Sequence, residues 1–450
     1  MIIKNIALAG HAGTGKTTLL EALLYQGGCV ERMGSVAAGT TVSDAAPEEI
    51  KRHSSVYTAT GSIMLDGQKI NLLDTPGMFD FAGGMVQGIS AADCVMITVS
   101  GKSGVRVGTK KAYRAAEGKP RMFVVTKLDD ENANFYNVLT ELKSAFGPSV
   151  CPVVVPVIAD RKVDSYINLI EMKAYRYDKD GKAQEIPMPT SEVSEKLSYR
   201  VDGLIQAFSE AIAETDEELF EKFFSGEEFT QKERVDGIHK GMRDGTITPV
   251  ACVSAQMLEG VDLLCKEMEL LVPEASDEIT ALNQNGEEVV LHQSPEEPVC
   301  VQVYQTLADP YVGKLSMMRV ISGTLKAGAE LVNSKTGATE KLNKLFFLCG
   351  KKQTETAVAE AGDLVAATKL SANTGDTLCD SSRVVSLPRS SFPTPCYSMA
   401  VRPAARGDEA KVAAAIQKIL EEDQTLSYQQ NPATNEMILS GLGEQHLSAV

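Results

Sequence analysis

Residues 2–25 read IIKNIALAGHAGTGKTTLLEALLY, and the order of residue types here decides the architecture of the first half of the chain. The apolar run through IIKNIALAG has the character of a strand buried on both faces. It ends in Gly10-x-x-x-x-Gly15-Lys16-Thr17, and TLLEALLY then reads as a helix. Strand, glycine-rich turn and helix in this order form a phosphate cradle. Glycine lets the backbone N–H groups of Gly10, His11, Ala12, Gly13, Thr14 and Gly15 curl around phosphate oxygens, and the helix adds its positive N-terminus through Lys16, Thr17 and Thr18. Lys16 neutralises the β- and γ-phosphates, and the Thr17 hydroxyl is a ligand for Mg²⁺.

A second stretch, LLDTPGMFDF at 72–81, brings a carboxylate and a glycine out of another buried strand. Asp74 is placed to reach Mg²⁺ through its water shell, and the Gly77 N–H to meet the γ-phosphate. Met78 follows, and a thioether neither shuttles a proton nor firmly orients a water. A third stretch, RMFVVTKLDD, ends a strand in Thr126-Lys127-Leu128-Asp129. A carboxylate such as Asp129 accepts from both N1 and N2 of guanine, a pair that adenine lacks, while the Lys127 stem can lie along the ring. The pattern matches N-K-x-D with threonine in first place. In VACVSAQMLEGVDLL, Ser254-Ala255 stands at the end of a further strand, where a backbone N–H can meet the guanine oxygen. More than a hundred residues separate Asp129 from Ser254, far more than one strand and helix need, so an inserted subdomain is expected at about 158–245. If ATP were bound as well as GTP, the reading of Asp129 would fail and a P-loop ATPase would describe the chain better.

At 450 residues the chain exceeds what one core supports, and two or three domains are expected. With 43% hydrophobic and 23% charged residues it has an ordinary globular composition. The nine scattered cysteines form no C-x-x-C pair and read as reduced thiols, and the five histidines show no metal spacing. No signal peptide or membrane span is evident, which gives a cytoplasmic expectation. A net charge of −16 argues against DNA or RNA binding through the whole surface while leaving room for a local basic face.

Taken together, these motifs resemble bacterial elongation factor G, the ribosomal translocase among the translational GTPases. The similarity continues through ETDEELFEKFFSGEEFT in the inserted subdomain. It extends to DPYVGKLSMMRVISGTLKAG, AGDLVAATKL and TGDTLCD, which look like the family's β-barrel, and to FPTPCYSMAVRP, LEEDQTL and LSGLGEQHL, which look like the start of its third domain. The resemblance implies an α/β P-loop GTPase domain over 1–285, a translation-factor β-barrel over 290–385 and a partial ferredoxin-like α/β sandwich over 390–450. DEITALNQNGEEVVLHQSPEEP reads as a polar connector before the barrel. GEQHLSAV reads as the opening of a helix, and a sandwich needs more chain to close, so Val450 is expected to be a truncation point. GTP and Mg²⁺ are the implied ligands, the ribosome the implied partner, and a monomer the default.

Set against the family pattern, three departures bear on hydrolysis. Met78 stands where members carry the histidine that positions the attacking water, Gly13 replaces an acidic residue, and Thr126 replaces asparagine. In the first mobile loop, VSDAAPEEIKRHSSVYTAT, Ser55 takes the place of the Mg²⁺-binding threonine. His53 and the acidic DAAPEE run are read as solvated. Lys16 and Gly77 are then the groups left to stabilise the reacting phosphate. Three activities remain open: a slow, ribosome-stimulated GTPase, a GTP-loaded ribosome-binding switch with little hydrolysis, or a tetracycline-resistance-type ribosomal protection protein.

Overall fold

The computed structural model describes residues 1–160, 162–189, 192–194, 199–274, 278–309, 313–405 and 407–450. It resolves into two compact units that do not follow chain order. One holds residues 1–41, 62–74 and 93–274, and the other holds 42–61, 75–92 and 275–450. The two segments flanking the DTPG strand thus belong with the C-terminal half.

The first unit is built on a sheet in the order Ala59–Leu65, Gln68–Asp74, Ile3–Gly10, Cys94–Ser100, Arg121–Thr126, Thr248–Cys252, Val150–Pro152. From Gln68–Asp74 to Val150–Pro152 all neighbours are parallel. All eight residues of Ile3–Gly10 and all seven of Cys94–Ser100 are buried, as a sheet covered on both faces requires. The polar pair inside the first strand is satisfied. Lys4 Nζ donates to the Glu269 carbonyl at 2.6 Å, and Asn5 Nδ2 to Asp93 Oδ2 at 3.0 Å. The edge strand Ala59–Leu65 is joined to its neighbour by Asp66-Gly67. Both residues have positive φ, 41° and 80°, as a two-residue hairpin turn of the I′ type demands.

Between Val150–Pro152 and Thr248–Cys252 the chain makes a second sheet, Ala183–Ile186, Lys173–Tyr177, Lys162–Asn168, Val154–Ala159, antiparallel throughout. The helices Val201–Ala213, Glu217–Phe224 and Gln231–Asp244 follow. Thr230 and Glu233 close a reciprocal capping box on the last of these.

In the second unit an eight-stranded antiparallel sheet surrounds a core of Val301, Val303, Met318, Val320, Leu331 and Leu345. Its longest pair is Cys300–Asp309 with Gly313–Ser322. The stretch expected as a polar connector is instead a hairpin, Glu278–Asn283 with Glu288–His292, and Val385–Ser386 adds a third strand. Ala281 and Leu291 are its buried anchors. Asn283 closes the turn by accepting from the Asn285 and Glu287 N–H groups at 2.8 and 3.0 Å. Polar flanks hid a short alternation that tertiary burial made into strands. The last part is the sheet Tyr397–Val401, Met437–Gly441, Ser427–Gln430, with helices Glu409–Glu422 and Glu444–Ala449. Among the described residues no helix is long and apolar enough to cross a membrane.

One buried acid in the first unit makes a measurable statement about stability. Glu267, fully buried, accepts from Asn168 Nδ2 at 2.9 Å, and burial pushes its carboxyl up to about 8. The native state then holds a proton that the unfolded chain releases above its ordinary value of 4.5, so this group weakens the fold progressively as pH rises from about 4.5 to about 8. Denaturant unfolding of Glu267→Gln beside the unmodified chain at pH 5 and pH 8 should show the variant gaining, relative to its parent, on the order of 1–3 kcal/mol at the higher pH. Identical pH slopes would refute the buried proton.

Candidate functional site

The phosphate loop lies at the carboxyl end of Ile3–Gly10 and feeds the helix Lys16–Gln26. Gly10, Gly13 and Gly15 have φ of 141°, 74° and 88°, conformations that side chains resist. At Gly10 there is also no room: a Cβ would lie 2.6 Å from the Thr98 carbonyl oxygen. The Lys16 ammonium bends back over its own loop, 3.1 Å from the His11 carbonyl oxygen and 3.4 Å from that of Gly10. His11 is held below its usual pKa by burial first and then by the Lys16 and Arg106 charges. The loop is braced from the next strand, where Thr14 Oγ1 and Thr98 Oγ1 are 2.6 Å apart.

Thr17 Oγ1 donates to Asp74 Oδ2 at 2.7 Å, and both side chains are buried. The geometry follows from the parallel register, which sets Leu8 opposite Asp74, two residues before the neighbouring strand ends at Gly10 and turns into the loop. A hydroxyl whose proton goes to a carboxylate turns its lone pairs elsewhere. Hydroxyl and carboxylate oxygens are the donors that Mg²⁺ takes alongside phosphate and water, so this pair fits that ion. Among the described residues no group of three or more His, Cys, Asp or Glu side chains could hold a metal by itself.

The base-reading candidates also meet. Arg121–Thr126 and Thr248–Cys252 are adjacent parallel strands, and the loops after them bring Ser254 Oγ within 2.8 Å of Asp129 Oδ1. Ser254 is buried, whereas Asp129 and Lys127 are exposed at the rim. Lys127 takes a left-handed φ of 59°, and a Cβ at Gly15 would lie 3.6 Å from its Cε, so the lysine stem runs beside the phosphate loop. The Ser254 N–H is donated to the Glu259 carbonyl at 2.9 Å, which leaves Ala255 as the residue of this pair with a main-chain donor to offer a guanine oxygen.

Ser55, Gly77 and Met78 lie in the second unit. Ser55 is buried, and Gly77 and Met78 are half-buried. Met78 is extended (φ −78°, ψ 142°) and leads into the short turn Phe79–Phe81. His53 is exposed and serves as the left-handed C-cap of Pro47–Arg52, φ 50°. The acidic 44–49 stretch departs from the expected solvated face, because Asp44 and Glu49 are both buried. Glu49 Oε1 accepts from the N–H groups of Val56 and Tyr57, each at 3.1 Å, and Oε2 from that of Ala46 at 3.0 Å. Burial raises its pKa against the pull of these bonds. The available signal was glutamate three residues after the position preceding Pro47, the returning half of a capping box.

Within this unit both segments are fastened to the C-terminal part. Gln305 Nε2 donates to the Thr58 carbonyl at 3.1 Å, Gly350 N–H to that of Thr60 at 2.9 Å, and Arg52 to Gln445 and Ser448 at 2.7 and 3.0 Å. Asp80 Oδ2 accepts the Gln445 and His446 N–H groups at 2.9 and 3.3 Å, and Gln87 reaches Gln424 at 3.2 Å.

Replacing Glu49 by alanine removes three hydrogen bonds from one loop, each worth about 1 kcal/mol. Limited proteolysis should cut Glu49→Ala between residues 44 and 57 at least about 10-fold faster than the unmodified chain, with the melting temperature of the remainder little changed. Equal cleavage rates would show that the carboxylate does not order the loop.

Comparison with known proteins follows the same outline. Residues 1–274 match the elongation factor Tu GTP binding domain, 298–381 elongation factor G domain 2 and 392–450 elongation factor G domain III. The "Elongation factor G-like protein" of Thermotoga maritima is 32% identical over 453 aligned residues that cover all of this chain and 64% of that protein. A crystal structure of a Thermus thermophilus protein superposes with a TM-score of 0.86 at 35% identity, over 99% of this chain and 65% of that one. The chain thus spans just under two thirds of the length of these relatives. Three successive domain matches and relatives at 32% and 35% identity place the chain in the elongation factor G family of translational GTPases as a divergent, elongation factor G-like member.

Proposed function

We propose that this chain binds GTP with Mg²⁺ and forms the nucleotide-driven part of a factor that acts on the ribosome, coupling GTP binding and hydrolysis to translocation or a related rearrangement. The observation that carries the reading is the Asp129–Ser254 pair. A carboxylate fixed from below by a buried hydroxyl, at the rim of a phosphate cradle, suits the N1–H and N2–H pair of guanine and repels the lone pair of adenine N1. Residues Gly10 to Thr18 would hold the phosphates, and Thr17, Asp74 and Ser55 would hold the ion. When bound, that ion supplies charge neutralisation on the phosphate oxygens. Lys16 and the Gly77 N–H would then stabilise charge on the γ-phosphate as it transfers to water.

Met78 sets the rate. A positioned proton-transfer group contributes about 10²- to 10⁴-fold, and a thioether at that place contributes none of it. Intrinsic hydrolysis is therefore slow, with docking on the ribosome left to orient the water. The fastening of 42–61 and 75–92 to the barrel and third domain supports the coupling, since segments released on loss of the γ-phosphate would pull on those residues. Met78 also favours one second reading, a GTP-loaded switch that scarcely hydrolyses.

Single-turnover release of phosphate from bound GTP, by the full-length protein with and without vacant ribosomes, separates the two. Strong stimulation of the unmodified protein is the expected result. Stimulation only in Met78→His would make the protein a switch that has lost its water-positioning group, and ATP turnover equal to that of GTP would overturn the guanine reading.

A further inference from the structure

We propose that this chain recognises guanine without a hydrogen bond to N7, and that Thr126 is the residue that decides it. The inference rests on the guanine reading above and deepens it.

Thr126 ends the strand Arg121–Thr126 and is almost fully buried. Its hydroxyl oxygen lies 2.5 Å from the Thr14 carbonyl oxygen in the phosphate loop and 3.3 Å from the Val99 carbonyl oxygen. Both neighbours only accept, and a hydroxyl has one proton, so Thr126 is wholly committed as a donor to its own backbone. Its remaining capacity is lone pairs. Purine N7 is likewise an acceptor, and two acceptors facing each other make no bond. The second hydroxyl of the site is committed in the same way, since Ser254 Oγ donates to Asp129 Oδ1 at 2.8 Å and its own N–H goes to Glu259. What is left for the base is the Asp129 carboxylate for N1–H and N2–H and the Ala255 main chain for O6. An amide at position 126 would differ by one atom that matters. With two N–H donors it could hold the Thr14 carbonyl and still present a second proton to the base.

The bond to Thr14 has a second effect. It joins the end of the base-reading strand to the phosphate loop. A Cβ at Gly15 would sit 3.9 Å from Thr126 Oγ1, so this buried hydroxyl lies beside the loop. Thr126 therefore positions the cradle while leaving the Hoogsteen edge of the base unread.

The test is equilibrium binding of GDP, 7-deaza-GDP and ADP to the 450-residue chain, with diphosphates used so that hydrolysis does not intrude. GDP and 7-deaza-GDP should bind within about 2-fold of each other. Thr126→Asn should prefer GDP over 7-deaza-GDP by about 3- to 10-fold, the worth of one hydrogen bond. Thr126→Val, which loses the tie to Thr14, should weaken both guanine nucleotides equally, and Thr126→Ser should retain parental binding of both. A preference for GDP of about 5-fold or more in the unmodified chain would overturn the proposal, as would an asparagine variant with no new discrimination. ADP binding as tightly as GDP would instead overturn the guanine reading itself, and this inference with it.

Discussion

The parallel register of four strands is the constraint on which the rest of the first unit depends. With Leu8 opposite Asp74, Gly10 opposite Thr98 and Ser100 opposite Thr126, each strand ends within two residues of its neighbour on the same edge of the sheet. Everything that follows a strand end is then delivered to one rim: the phosphate loop, the DTPG carboxylate and the base-reading tetrapeptide. A slip of one residue would turn Asp74 to the other face of the sheet. The short bonds across these ends, Thr17 to Asp74, Thr14 to Thr98 and Thr126 to Thr14, are consequences of that alignment and lock it in turn. Continuous burial along Ile3–Gly10 and Cys94–Ser100 is what makes the register costly to break.

How much of this was legible in the sequence depended on the range of the determining interactions. The phosphate loop is local: three glycines, a lysine and a strand-to-helix change within sixteen residues declare it, and the backbone angles at Gly10, Gly13 and Gly15 give the reason for the glycines. The meeting of Asp129 with Ser254 spans 125 residues, yet it was readable because each ends a strand and adjacent parallel strands bring such ends together. Elsewhere the deciding partner lay outside the window. The capping-box spacing near Glu49 accounts for its bond to Ala46, but the bonds to Val56 and Tyr57 close a loop whose path the rest of the protein sets. The hairpin at Glu278–His292 was hidden by polar flanks, because Ala281 and Leu291 gain their meaning only from the core they enter. The grouping of 42–61 and 75–92 with the C-terminal half is a property of contacts, which no run of residues encodes by itself.

The departures from the family pattern sort by what each side chain does in the structure. Thr126 still makes a firm bond within the cradle, so what it changes is the set of donors offered to a ligand. Met78 lies in the second unit in ordinary extended backbone, so it places no strain on the local fold. Gly13 has a positive φ and open space around it, so an acidic residue there would be opposed by backbone conformation and not by crowding. Divergence in this chain has fallen on what the site can donate and orient. The cradle's shape has been kept.

The Glu49 bracket carries a consequence for how the segment around it behaves over time. Three amide protons from both ends of the loop converge on the two oxygens of one carboxylate, so a single side chain, on leaving its place, releases residues 46, 56 and 57 together. Such a loop opens in a single cooperative event, and its amides would exchange with solvent at one common rate. Such a segment behaves as one bit, either ordered or released.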